Sequence, residues 1–192
     1  TYMTNKQRVS YAGLFDDVAA SAWYAPGVDY VKYGRLMYGT GNNLFQPDAQ
    51  MTRAMFVQVL YALEGSPSVS GLSCPLADAG GSWYTDAVIW AYNAGVTAGV
   101  SATEFAPNEP LTREQMVTML YGYASRSEQL TGDAGALSSY QDQANVSAWA
   151  REAMVWAVST GIICGTSPTT LSPQKTGTRA EVATVMMGFC EQ

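Results

Sequence analysis

A tryptophan followed thirty residues later by an arginine occurs three times in this 192-residue chain, as Trp23 and Arg53, Trp83 and Arg113, and Trp149 and Arg179. Each arginine is preceded by threonine: Thr52, Thr112 and Thr178. Between these anchors Gly39, Gly99 and Gly165 all lie 16 residues after their tryptophan, and Pro47, Pro107 and Pro173 lie 24 after. Phe45, Phe105 or Leu171 stands two residues before each proline. Such self-similarity marks a supersecondary unit that cannot bury its apolar face alone and must pack on its neighbours. Variation in length is confined to the joints, which bounds the copies at residues 1–69, 70–135 and 136–192. The fold has to be assembled from three equivalent pieces.

Within one copy, the eleven residues that start at the tryptophan carry an aromatic at the eighth position, Tyr30, Trp90 or Trp156, and a glycine soon after. This predicts a short helix with a glycine stop. The following stretch, YGTGNNLFQPDAQM in the first copy, has no helical period and reads as a loop that tucks Phe45, Phe105 or Leu171 into the core. A second helix begins at Thr-Arg, with apolar positions Phe56, Val57, Leu60, Leu63; Met116, Val117, Leu120, Tyr123; and Val182, Ala183, Met186, Phe189. The threonine occupies the N-cap position, and Gln115 or Glu181 three residues on completes a capping box. Met55 cannot reach back, so the first copy has half of that box. The expected class is all-α: three helix-loop-helix repeats.

Composition narrows the function. With 10 Lys+Arg against 16 Asp+Glu the chain carries a formal charge of −6 and no basic block, so nucleic acid is not an expected partner. No uninterrupted apolar stretch of about 18 residues occurs, so no membrane span is expected in this segment. Thr1 to Ser10 include Lys6 and Arg8 but no following apolar block, so no signal peptide is read there. A chain with 0 His lacks the commonest general base and metal ligand. The odd set Cys74, Cys164 and Cys190 matches neither a disulfide framework nor a CxxC metal site, although Cys164 and Cys190 could meet if their segments fold together. An acid stands in a short loop before each tryptophan, Asp16, Asp78 and Asp142, and no pair of them makes a catalytic dyad. No catalytic residue, metal site or cofactor is expected.

The arginine is what a purely structural pattern leaves unexplained. The helix dipole disfavours a cation in the first turn, yet the residue recurs at one register. Two readings remain open: a repeated salt bridge to a loop acid, or an anion pocket in which guanidinium and exposed helix N–H groups grip a carboxylate or phosphate. An aromatic nearby offers a sugar or acyl group a stacking face. For Trp23, Trp83 and Trp149 the competing reading is partial burial under the loop. For Gly39, Gly99 and Gly165 it is a positive φ in a tight turn.

Phe15-Asp16-Asp17-Val18, Trp23, Gly39, the segment LFQPDAQMTRAMFVQVLYAL and their counterparts closely resemble the S-layer homology module, in three tandem copies from about Leu14 onward. The resemblance implies a pseudo-threefold prism with a central three-helix bundle that anchors an exported protein non-covalently to the bacterial cell wall, at the cell surface. It implies as partner a secondary cell wall polysaccharide bearing a pyruvyl ketal on N-acetylmannosamine, held in grooves between modules. It further implies Arg53, Arg113 and Arg179 as carboxylate binders, with Trp23, Trp83, Trp149, Gly39, Gly99 and Gly165 shaping the grooves. The rival reading is a protein-interaction or surface-lattice module with degenerate grooves and other surface-layer proteins as partners. Only Thr178-Arg179-Ala180-Glu181 matches the family motif in full. Met55, Glu114 and Gln115 depart from it, Glu114 being placed to neutralise Arg113, and Arg35 stands where a glycine is expected four residues before Gly39.

Overall fold

The computed structural model describes residues 14–192, so the opening segment with Lys6 and Arg8 lies outside the described residues. Six α-helices are present among the described residues: α1 (Ala25–Tyr33), α2 (Arg53–Leu63), α3 (Thr85–Asn93), α4 (Arg113–Ala124), α5 (Arg151–Ser159) and α6 (Arg179–Cys190). Apart from isolated β-bridges, no strand occurs among them, so the class is all-α as expected. The first helix of each copy starts two residues beyond its tryptophan, not at it. Tyr24, Tyr84 and Ala150, which precede these helices, provide no side-chain cap. The second helices begin as predicted: Thr52, Thr112 and Thr178 accept from the N–H three residues on, and the full capping box forms in α4 and α6 but not in α2.

The chain divides into two compact units, neither of which follows the repeats. One combines the described residues up to Met51 with Gly177–Gln192; the other is Thr52–Thr176. In the first unit α1 packs on α6, and Gly27 permits the approach, since a Cβ there would stand 2.8 Å from the Thr184 Cα. In the second unit α3 packs on α2, α5 on α4, and α2 touches α4. Each first helix therefore lies on the second helix of another copy: copy two on one, three on two, and one on three. Phe45, Phe105 and Leu171 are fully buried, as are Phe56, Leu60, Met116, Leu120, Val182 and Met186. The predicted apolar stripe forms the core except at its last position in α4 and α6, where Tyr123 and Phe189 are half-buried.

The loops are built by one device. Asp17 accepts the N–H groups of Phe45 and Gln46 at 2.8 and 2.7 Å; Asp78 accepts those of Phe105 and Ala106, and Asp142 those of Leu171 and Ser172. Gln46, Ala106 and Ser172 all have left-handed backbone, with φ of 56°, 58° and 55°. That conformation costs an L-residue roughly 1–2 kcal/mol, and two charge-assisted hydrogen bonds offset it. In the first copy the residue that acts is Asp17, not the expected Asp16, which takes the Asn43 side chain at 2.8 Å. The Leu171 N–H, working against burial and joined by the Ser172 N–H and the Arg113 charge, holds the Asp142 carboxyl below the usual carboxylate range. At the end of α1, Arg35 takes φ 58°, the position that Gly95 and Gly161 occupy at 73° and 74° in the other copies.

Two predictions follow from this construction. A fragment Thr52–Thr176 keeps its own helix pairs and melts cooperatively by circular dichroism, whereas residues 1–71 hold α1 and α2 without α6 and α3 and show no cooperative melt; a sharp melt from monomeric 1–71 contradicts the interlock. Asp142→Ala lowers stability by about 2 kcal/mol at neutral pH, the worth of hydrogen bonds to a charged, partly exposed acceptor. Because folding lowers this carboxyl's pKa, the unfolded chain binds more protons, so the contribution is present above about pH 4 and fades as pH falls through the folded value. Parallel stability-versus-pH curves for variant and parent would refute it.

Candidate anion-binding site

Each recurring arginine reaches into the stapled loop of another copy, and what it meets there is a carbonyl. The Arg53 Nε donates to the Phe105 carbonyl at 2.8 Å, Arg113 Nε to that of Leu171 at 3.2 Å, and Arg179 Nε to that of Phe45 at 2.7 Å. The N–H groups of these same three loop residues are bonded to the aspartates. A line of polar contacts thus runs from carboxylate through peptide to guanidinium, without the acid and the arginine touching. The guanidinium carbon lies 4.8 Å from the Phe105 ring centroid in Arg53 and 4.5 Å from the Phe45 ring in Arg179, a cation–π contact. Leu171 offers Arg113 no such face.

The outer nitrogens separate the three. Arg113 Nη2 donates to the Cys164 carbonyl at 2.5 Å, and Arg179 Nη2 to the Tyr38 carbonyl at 2.6 Å. Arg53 Nη2 is buried and has no hydrogen-bond partner among the described residues, although Ala98 occupies the corresponding position. Arg53 is only 3% exposed. Burial, opposed by the Asp78 charge, pushes its guanidinium down to about 10, and burial opposed by Asp17 lowers Arg179 as well. Neither makes an ion pair with a carboxylate among the described residues. Leaving a buried donor unmatched costs of order 1–3 kcal/mol, more when charged; an anion reaching it recovers that cost.

Two expectations about this region need correction. The helix starts offer no exposed N–H cluster. The N–H groups of Arg53 and Ala54 donate to the Glu109 and Pro107 carbonyls, those of Arg113 and Glu114 to Lys175 and Pro173, and those of Arg179 and Ala180 to Ala49 and Pro47. The threonine hydroxyl accepts the next N–H in each case. Any anion must therefore be held by side chains. Glu114 turns elsewhere as well: it is 2% exposed, and its carboxylate accepts from the Ser147 N–H, the Ser147 hydroxyl and Gln174 Nε2. It latches Ser147 and Gln174 of the third copy.

The tryptophans are at the surface, not under the loop, with Trp23, Trp83 and Trp149 65%, 60% and 58% exposed. Trp23 and Trp83 rest edge-on against Tyr24 and Tyr84 at 5.3 Å. Exposed indoles at one register in every copy are unusual for a core residue type. The glycines have a packing reason. A Cβ on Gly39 would meet the Phe15 ring at 2.7 Å, and one on Gly99 the Glu104 carbonyl at 2.5 Å; on Gly165 it would meet Tyr140 at 2.5 Å. Of the three, Gly99 alone needs the positive φ anticipated. The cysteines are unbridged, and no group of three or more potential metal ligands occurs among the described residues. Asp17 is the site-building residue that the sequence reading missed; its signal was a second acid beside Asp16.

Comparison with known proteins bears on this arrangement. The description "S-layer homology domain" matches residues 14–55, 75–117 and 139–183. A surface-layer 125 kDa protein of Lysinibacillus sphaericus is 33% identical over 183 residues, 92% of this chain and 15% of that protein. An endoglucanase of Bacillus sp. (strain KSM-635) is 30% identical over 186 residues, 95% of this chain and 19% of the enzyme. An amylopullulanase of Thermoanaerobacterium thermosulfurigenes is 25% identical over 195 residues, 100% of this chain and 10% of the enzyme. The chain thus spans a fifth or less of these relatives, and in the enzymes the shared part is a small fraction of the whole. Among the described residues no helix is long and apolar enough to cross a membrane. The match supports a cell-wall-binding module of the cell surface. Each matched segment holds one of the exposed tryptophans, one stapled loop and one threonine-capped arginine, and the chain belongs to the S-layer homology domain family as three tandem modules.

Proposed function

We propose that this chain is a non-catalytic anchor that holds an exported protein to the bacterial cell wall by binding an anionic, pyruvylated secondary cell wall polysaccharide. Arg53, Arg113 and Arg179 meet carboxylates, and Trp23, Trp83 and Trp149 lend sugar rings an apolar face. Gly39, Gly99 and Gly165 shape the pockets by letting the loops close up. The threefold prism expected of the family belongs to the same proposal; a second helix that meets another copy's loop, three times over, is the contact it needs. The observation that carries the reading is Arg53, a buried cation with an unmatched Nη2 and no carboxylate partner. A carboxylate would supply both the missing acceptor and the missing charge.

The three positions are unequal in this account. Arg53 has a donor to give, whereas Arg113 and Arg179 already spend two nitrogens on carbonyls. Several modest contacts along one polymer raise the effective affinity without a covalent bond.

Pull-down on purified, de-proteinated wall polysaccharide tests this reading. Arg53→Ala weakens capture about tenfold or more, the scale of a hydrogen bond to a charged group, and removing the ketal chemically abolishes capture by the parent. Arg53→Lys, which keeps the charge, recovers part of it and controls for loss of the loop clamp. Equal capture of intact and depyruvylated polymer contradicts the proposal and favours the lattice reading. A second test uses pH. A carboxylate ligand stays ionised throughout, so affinity is flat from pH 6 to 9 and falls as pH rises through about 10, where Arg53 loses its proton. The fall is measured as the difference between parent and Arg53→Ala; an equal fall in both would remove Arg53 from the site.

A further inference from the structure

The loop face of the first copy carries cations that the other two copies lack. Lys32, Arg35 and Tyr38 stand where the second copy has Tyr92, Gly95 and Ala98, and the third Val158, Gly161 and Cys164. Lys32 is half-buried, its Nζ 5.7 Å from the Tyr38 ring and 5.7 Å from the Phe15 ring. The Tyr38 carbonyl accepts from Arg179 Nη2 at 2.6 Å, and Phe15 packs on Phe45 at 5.4 Å, against which the Arg179 guanidinium lies. Lys32 and Arg179 therefore flank one tyrosine, which is itself 60% exposed. Among the described residues neither Lys32 nor Arg35 has a carboxylate within ion-pair distance. Of the acids in this copy, Asp16 is engaged by Asn43 and Asp17 by the loop N–H groups, and Asp29, three residues before Lys32 on α1, is not within ion-pair distance of it.

Arg35 is also an arginine in a glycine's place. It adopts φ 58° while its counterparts, at 73° and 74°, are glycines. Strain of this kind, at an exposed position where glycine would fit, invites a functional explanation.

We infer that the first-copy groove is selective for an acidic glycan segment bearing two anionic groups, one at Arg179 and a second, a carboxylate or a phosphate, at Lys32 beside the Tyr38 ring, with Arg35 one turn further along the chain. The inference rests on the wall-polysaccharide reading and adds a specificity to one of its three sites.

The test is calorimetric titration of the full chain with three probes. These are a pyruvylated N-acetylmannosamine disaccharide with no other charge, the same disaccharide with a uronic acid as its second sugar, and the same with a phosphomonoester. The parent prefers one or both diacidic probes by about fivefold, the size of one exposed charge contact. The stronger of the two names the second anion. In Lys32→Gln/Arg35→Gly this ratio falls to about one. Arg35→Gly alone raises the melting temperature by a few degrees, because glycine relieves the left-handed strain, so loss of preference cannot be put down to unfolding. A parent that binds all three probes alike, or a double variant that keeps the preference, overturns the inference and leaves the wall reading intact. No binding of any probe overturns both.

Discussion

Everything in this structure hangs on a peptide carbonyl: that of Phe105, Leu171 or Phe45, which receives the Nε of an arginine from another copy. The peptide preceding that carbonyl's residue is bonded to an aspartate through its N–H, and the residue that follows is forced into left-handed backbone. The loop can hold this shape only while the aspartate accepts two N–H groups, and the arginine can stay in the first turn of a helix only while carbonyls face it. Neighbouring copies are thereby welded through hydrogen bonds as well as through apolar burial. This explains why the compact units cut across the repeats between Met51 and Thr52 and between Thr176 and Gly177.

The same clamp accounts for a cation near a helix N-terminus, where the dipole is unfavourable. Loop carbonyls bear the negative end of a peptide dipole but no net charge. They orient the guanidinium without a direct ion pair, so Asp78 and Asp17 act on Arg53 and Arg179 only through space and do not outweigh burial. Arg53 and Arg179 are consequently cations held in place and short of an anion, the condition that a receptor for carboxylates requires. In the proposed function a structural clamp and a binding group are one side chain, so the test of function has to separate them, as a lysine replacement does.

Much of this was legible in the residues. Spacing alone yields three copies, the capped second helices and the buried Phe45, Phe105 and Leu171, because those features depend on period and on local capping chemistry. Glu114 was misread, since adjacency in sequence to Arg113 says nothing of the Ser147 and Gln174 groups that fold around it. The helix N–H groups were expected to be exposed, but their acceptors lie about fifty or more residues away in the chain. Asp17, beside the recurring acid Asp16, makes the staple, because accepting two N–H groups is a matter of geometry that two neighbouring acids do not reveal. For Trp23, Trp83 and Trp149 the residues leave open groove lining or partial burial, and the side chains are exposed; a recurring large apolar residue signals a constraint without saying whether protein or ligand imposes it.

The central claim is that Arg53 is a cation held ready for an external carboxylate. A crystal of the full chain soaked with a pyruvylated N-acetylmannosamine glycoside tests it most directly. The account predicts the ketal carboxylate within about 3 Å of Arg53 Nη2, with the Nε bond to the Phe105 carbonyl kept. A bound sugar whose carboxylate lies elsewhere, with Nη2 turned onto the Ala98 carbonyl as its counterparts are onto Tyr38 and Cys164, would contradict it.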